Sequence, residues 1–335
     1  MKAISYSHTG ASSVLTLIDR ELREPGSGEI RVRIKVSGVN PTDWKARASG
    51  DVSAPKVPNQ DGAGVVDAVG SNVSQFRVGD RVWLWDVAWQ STEGTAQQYV
   101  TLPAAQAVTL PDEESFDTGA SLGIPALTAH LALTANEFGP ALLSAGSLVG
   151  HAVLVTGGAG AVGHAAIQLA RWAGATVITT ISDDRKAALA TAAGADHAVN
   201  YRTEDIKEKV LALAPKGVNT IVDVDLPVNI DSDLEVIAPN GTISSYAFAS
   251  KGEVTIPVRP GMNKNTRYQF ILTYTSSAEA KANAVAGVSA ALAAGALRVG
   301  EEHGLPISRY PLEQTAAAHD AVESGFVGKV LIDVD

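Results

Sequence analysis

Val153-Leu154-Val155-Thr156-Gly157-Gly158-Ala159-Gly160-Ala161-Val162-Gly163 is the stretch that decides the fold. Its first three residues are a continuous apolar run, as a strand buried on both faces requires. Its last six fit Gly-x-Gly-x-x-Gly, a pattern of little weight alone in a chain with 31 glycines. Its place gives it weight. It leaves a buried strand and opens a helix over Val162–Ala173, the setting in which such glycines hold a dinucleotide pyrophosphate. The glycines allow a tight turn and close backbone approach, and the helix N-terminus offers free N–H groups and its positive dipole end.

Downstream, the same rhythm repeats. A strand over Thr176–Ile181, a helix over Asp183–Ala193 closed by Gly194, and strands His197–Asn200 and Thr220–Val224 predict a doubly wound parallel sheet. Upstream, Glu29–Val36 alternates strictly, with Ile30, Val32, Ile34 and Val36 on one face and Arg31, Arg33 and Lys35 on the other. Short strands at Gly64–Val69 and Arg81–Leu84 lie between Gly and Pro turn signals, which reads as a partly open barrel or a sandwich. Near residue 120 the texture turns helical (Ala126–Ala135), and after residue 258 the strand–helix rhythm stops. A helix over Ala278–Ala294 then leads to a last strand, Gly328–Val334. We therefore expect a nucleotide domain over residues 123–258, set between two parts of a β-rich domain, 1–122 and 259–335. Gly252–Val258 alternates Val254, Ile256 and Val258, and Pro257 marks it as an exposed edge strand.

The 335 residues suit two domains. A formal charge of −10 argues against nucleic acid, which needs a basic footprint. There is no cysteine, so disulfides, thiol nucleophiles and thiolate zinc sites are excluded. The seven histidines include no i, i+4 pair, and a Tyr-x-x-x-Lys proton donor is absent. Gly119-Ala120-Ser121-Leu122-Gly123 matches Gly-x-Ser-x-Gly, but Asp112–Thr118 before it is too acidic for the buried strand that a nucleophile elbow needs. No apolar stretch reaches about 18 residues, so no membrane span and a cytoplasmic location are expected. Without a Lewis acid or a tuned acid/base pair, oxidation of a simple alcohol is disfavoured. Hydride addition to a quinone or conjugated enone demands less, because its charge arises delocalised on an oxygen remote from the attacked carbon. At the far end of the dinucleotide, Ser182 reads as a helix N-cap with Asp183 and Asp184 in the first turn, and Arg185 and Lys186 follow. The local charges cancel, which leaves NAD against NADP open.

Several motifs in order resemble one family over essentially the whole chain. They are Gly38-Val39-Asn40-Pro41-Thr42-Asp43, Gly62-Ala63-Gly64-Val65-Val66, Val78-Gly79-Asp80-Arg81-Val82, Leu127-Thr128-Ala129, Val155 to Arg171 with Gln168, Gly194-Ala195-Asp196, Asn200-Tyr201 and Gly328-Lys329-Val330. The chain resembles the medium-chain dehydrogenases/reductases, and within them the zeta-crystallin-like NADPH:quinone oxidoreductases. That implies a GroES-like β-rich catalytic domain and a Rossmann domain for NADPH. Zinc-containing relatives carry Cys where this chain has Asn40 and His-Glu where it has Gln60-Asp61. By the same resemblance, Asn40 and Thr128 lie near the nicotinamide, and Gly160, Ala161 and Val162 meet the pyrophosphate. Ser182, Lys186 and Tyr201 surround the 2′-phosphate, and Lys329 lies close to the cofactor. Asn40, Asp43 and Lys45 are the expected catalytic residues, and Trp89, in a Trp-rich loop, the expected substrate contact. Departures are Lys45, where many relatives have Tyr, and Asp225-Leu226-Pro227, where they have glycines. The expected function is zinc-independent hydride transfer from NADPH to a quinone or conjugated carbonyl by a homodimer. The alternatives are an enone or alkenal double-bond reductase and a non-catalytic NADPH-binding protein, crystallin-like or redox-sensing.

Overall fold

In the computed structural model, which describes residues 1–248 and 252–334, the chain divides into two units. One is Met1–Ile124 with Pro306 onward, the other Pro125–Leu305. In the first unit β1 (Lys2–Ser5) pairs antiparallel with β2 (Thr16–Asp19). The alternating segment becomes β3 (Glu29–Val39), followed by α1 (Pro41–Ser49), β4 (Asp61–Val69), β5 (Arg81–Leu84), β6 (Tyr99–Pro103) and β7 (Ala107–Thr109). Ile30, Val32 and Ile34 are fully buried, as the alternation requires. Arg31, on the other face, is covered as well, but its guanidinium pairs with Asp67 and Glu24. Register shifts at Arg31/Val32 and Ile34/Val36 bend β3. It pairs antiparallel with β4, β6 and the last strand of the chain.

Helix α2 (Phe116–Leu133) carries the chain onward with a break at Gly123, whose backbone angles (φ −9°, ψ −111°) are not helical. Gly119–Gly123 lies inside this helix, so no nucleophile elbow forms.

The second unit runs β8 (Ala152–Thr156), α3 (Ala161–Trp172), β9 (Thr176–Ile181), α4 (Asp184–Ala192), β10 (His197–Asn200) and α5 (Ile206–Leu213). It continues through β11 (Val218–Asp223), α6 (Leu226–Val236), β12 (Ile237–Ser245), α7 (Val258–Lys264), β13 (Arg267–Phe270) and α8 (Ala278–Ala293). Its six strands are all parallel, in the order β10-β9-β8-β11-β12-β13. The order reverses between β8 and β11, the switch point where such sheets bind ligands beyond their carboxyl edge. Leu154, Ile178, Val199 and Ile221 fill the core between sheet and helices. Finally β14 (Ile307–Pro311), α9 (Thr315–Glu323) and β15 (Lys329–Asp333) rejoin the first unit, where β15 pairs with β3.

Three expectations need correction. The return to the first unit comes at Pro306, not at residue 259, because β13 extends the parallel sheet and α8 packs on α3. Residues 252–257 form no strand: Pro257 caps α7, and the edge of the sheet is β13. The N-cap of α4 is Asp183 rather than Ser182, since the Asp183 carboxylate accepts from Lys186 N at 3.0 Å.

Candidate active site and cofactor cradle

In the first unit, the end of β3, the start of α1 and of β4, and the start of β15 converge on one buried cluster. Asn40, Asp43, Asp61 and Lys329 are each at most 3% exposed. Asn40 Nδ2 donates to Asp61 Oδ2 at 2.6 Å, and Lys329 Nζ donates to Asn40 Oδ1 at 2.7 Å. The same ammonium lies 3.6 Å from Asp61 Oδ2. The other Asp61 oxygen accepts from Ile124 N at 2.9 Å, which serves the broken turn of α2. Asp43 accepts from the backbone N–H of Asn40 (2.7 Å) and of Gln60 (3.1 Å), so it caps α1 and fixes the approach to β4.

Two glycines make room for this. A side chain at Gly38 would strike the Ala120 carbonyl and crowd the Lys329 stem, and one at Gly123 would overlap the Asp61 carboxylate. Burial pushes the Asp43 and Asp61 carboxyls above the usual carboxylate range, and Asp61's charge adds to the rise at Asp43. Burial likewise pulls the Lys329 ammonium down, against the attraction of Asp61 and Asp43. The amide of Asn40 keeps a second N–H beyond the one given to Asp61. It is therefore a donor held in place from both ends, by the carboxylate and by the ammonium.

Beside the cluster lies a cavity of about 470 Å³ whose wall includes Asp43, Gln60, Tyr6 and Trp89. Trp89 thus meets a space that a small ring could fill. Lys45 does not join the cluster. It is exposed, with its ammonium 5.8 Å from the Trp44 ring centroid. Asp61 escaped the sequence reading as a functional residue, although its place where zinc relatives carry Glu was the available signal. Tyr6 carried no signal at all.

In the second unit, Gly157 rather than a glycine of the motif takes the left-handed turn, at φ +69°. Side chains at Gly158 and Gly163 would strike Thr179 Oγ1 and the Gly157 carbonyl, so both must stay bare for α3 to sit close to the sheet. Gly160 is the N-cap, and Ala161 and Val162 open the helix with N–H groups that have no intrahelical acceptor. Since β8, β9 and β10 are parallel neighbours, the glycine turn, Ser182 and Tyr201 follow the same edge of the sheet. Lys186 Nζ donates to Ser182 Oγ at 2.8 Å, and Tyr201 is 49% exposed. Thr128 is buried, its hydroxyl 2.6 Å from that of Thr273. A bare glycine turn at a helix start, with a lysine and a serine after the next strand, fits a dinucleotide with a 2′-phosphate.

A zinc ion does not fit the first unit's cluster. Its donors are an amide and two carboxylates with a buried ammonium among them, whereas zinc sites are built on thiolates or imidazoles, to which a carboxylate is at most added. Among the described residues, no three His, Cys, Asp or Glu side chains gather as metal ligands.

Residues 26–112 match the family described as alcohol dehydrogenase GroES-like domain, and residues 161–296 that described as zinc-binding dehydrogenase. The chain is 31% identical over 341 residues to a quinone oxidoreductase of Lama guanicoe, spanning 99% of this chain and 97% of that one. It is 30% identical to the human quinone oxidoreductase over the same shares. Among solved structures, an NAD-dependent alcohol dehydrogenase superposes with a TM-score of 0.86 at 28% identity, over the full length of both chains. An Escherichia coli quinone oxidoreductase complexed with NADPH superposes at 0.81, with 25% identity over 99% of this chain and all of that one. With that likeness running end to end through both units, the chain belongs to the medium-chain dehydrogenase/reductase family, in its zeta-crystallin-like quinone oxidoreductase branch.

Proposed function

We propose that this chain is an oxidoreductase that reduces a quinone or a conjugated carbonyl compound at the expense of NADPH. The observation that carries the reading is the Asn40–Asp61–Lys329 cluster beside the 470 Å³ cavity. A fixed amide donor backed by a buried cation is suited to an oxygen that gains negative charge, and its chemistry needs no metal. NADPH, when bound, supplies the hydride. The Ser182–Lys186 pair supports NADPH over NADH, because an ammonium can meet a 2′-phosphate. Quinones come first because the chain is similar along its length to quinone oxidoreductases; enones and alkenals share the same demand for a donor at oxygen. The decisive experiment measures NADPH oxidation by the purified protein against menadione, cyclohexenone, an alkenal and a simple ketone. We expect turnover of menadione and none of the ketone. Turnover of none of the four would leave a non-catalytic NADPH-binding protein.

A homodimer and a cytoplasmic location belong to the same proposal. The parallel sheet ends at β13, where Phe270 is 63% exposed, and nearby Met262 is 62% exposed. An open edge with apolar side chains favours pairing with a second copy. Light scattering at micromolar concentration is expected to give twice the chain mass. The location rests on two observations: the chain has no cysteine, and no helix among the described residues is long and apolar enough to cross a membrane.

A further inference from the structure

Tyr6 lies just past β1 and is 6% exposed. Its backbone is pinned on both sides by Lys56: Tyr6 N donates to the Lys56 carbonyl at 3.0 Å, and Lys56 N donates to the Tyr6 carbonyl at 2.9 Å. Both residues line the cavity that Asp43, Gln60 and Trp89 also wall. The ring is therefore held by a β-bridge rather than by a mobile loop. A buried phenol usually finds a hydrogen-bond partner, and it brings a flat apolar face with one polar tip. A planar carbonyl compound asks for both.

We infer that Tyr6 donates a hydrogen bond from its phenolic O–H to the carbonyl oxygen of the substrate in this cavity. The inference rests on the proposed reduction of quinones or conjugated carbonyls. It also accounts for a gap in the first unit. Where relatives are expected to carry a tyrosine in α1, this chain has Lys45, which is exposed. Tyr6 supplies an aromatic hydroxyl from the isolated bridge just past β1 instead. Burial, then the charge of Asp43, raises the phenol above its ordinary value, with Arg47 pulling the other way. The group thus stays protonated through the neutral range and acts as a donor.

The test is Tyr6→Phe, which keeps the ring and removes only the hydroxyl. With menadione and NADPH, kcat/KM is expected to fall roughly tenfold to a hundredfold, while the KM for NADPH holds. A merely structural role would move both, or neither. An unchanged kcat/KM overturns the inference while the quinone-reductase reading stands. An unmodified protein that turns over neither menadione nor cyclohexenone overturns the reading and the inference together. Should Tyr6→Phe fold poorly, fluorotyrosine placed at position 6 in the otherwise unchanged protein keeps the question open to fluorine NMR. Its resonance is expected to shift as menadione is added, and a resonance that does not move overturns the inference.

Discussion

The two units bury carboxylates to the same depth and treat them in opposite ways. In the first, Asp43 and Asp61 are 3% and 0% exposed, and all four of their oxygens accept hydrogen bonds. In the second, Asp223 at the end of β11 and Asp233 in α6 are 0% and 1% exposed, and one oxygen of each has no partner. The nearby charge felt by Asp233 is that of Asp223, which repels it. Burial raises the carboxyls of both pairs. What differs is the compensation: in the first unit a donor at every oxygen and the Lys329 ammonium close by, in the second a like charge and two oxygens without a partner.

The largest effect that can break this comparison is Lys329→Met. It leaves Asp61 buried without its cation, a loss of about 3–5 kcal/mol. Denaturant unfolding of the variant is expected to begin at a clearly lower midpoint, and the double variant with Asp61→Asn is expected to recover much of the loss. A midpoint equal to that of the unmodified protein would mean that Asp61 is already neutral in the fold. The two units would then not differ as described.

The second effect is pH dependence in the other unit. Burial pushes the Asp223 carboxyl up to about 6, and Asp233 well above the carboxylate range. A carboxyl whose folded value is raised binds its proton more tightly in the native state. Its contribution is thus fully present below the unfolded value near 3.9 and is lost as pH rises through the folded value. For Asp223 this window removes about 3 kcal/mol. Thermal melts should show the second unit less stable at neutral pH than near pH ~5, and Asp233→Asn should raise stability at neutral pH. Stability that rises across that window would refute the assignment.

The pattern of legibility follows the same physics. Strand β8 was readable because a strand buried on both faces needs an unbroken apolar run, and β9 to β11 were readable from the strand–helix rhythm that follows it. Asp61 was not read as a site residue, because a buried aspartate and a surface aspartate are the same letter and only its place at the zinc relatives' Glu set it apart. Only the convergence of β3, β4 and β15 brings it to Asn40 and Lys329. The edge strand was misplaced for a related reason. Val254, Ile256 and Val258 alternate, yet Pro257 starts a helix there. The true edge, Arg267-Tyr268-Gln269-Phe270, alternates two polar with two aromatic residues, but over only four positions, which is too short to mark a strand by itself. The two-domain reading failed at residue 259 as a consequence. Ser182 and Asp183 are both good caps by type, and the hydrogen bond to Lys186 N decides for Asp183.

A smaller effect concerns the cofactor. Lys186 is about one-third exposed on its side chain and already shared between Ser182, at 2.8 Å, and Asp183, at 3.7 Å. A charge-assisted contact to a phosphate is worth about 1.5–3 kcal/mol; exposure and the neighbouring carboxylate favour the lower figure. Lys186→Ala should therefore cut the preference for NADPH over NADH roughly tenfold, with NADH binding nearly unchanged. Titration of both cofactors by fluorescence checks this, and equal affinities in the unmodified protein would remove the 2′-phosphate from the reading.

The smallest effect separates the two lysines of the first unit. Lys329 is buried among Asp61 and Asn40, and its charge has nowhere else to go. Lys45 is exposed over Trp44, a contact worth about 0.5–1 kcal/mol at most in water. An ammonium that bulk solvent hydrates is screened and cannot hold a fixed geometry against a substrate in the cavity. Lys45→Ala is accordingly expected to leave kcat/KM for menadione and for cyclohexenone unchanged. The two substrates are chosen because they differ in one step. A quinone ends as a hydroquinone whose oxygens exchange protons with water unaided, whereas an enone must also receive a proton on carbon. A loss confined to cyclohexenone would show that Lys45 relays that proton after all. The catalytic charge of the first unit would then lie at its surface as well as in its interior.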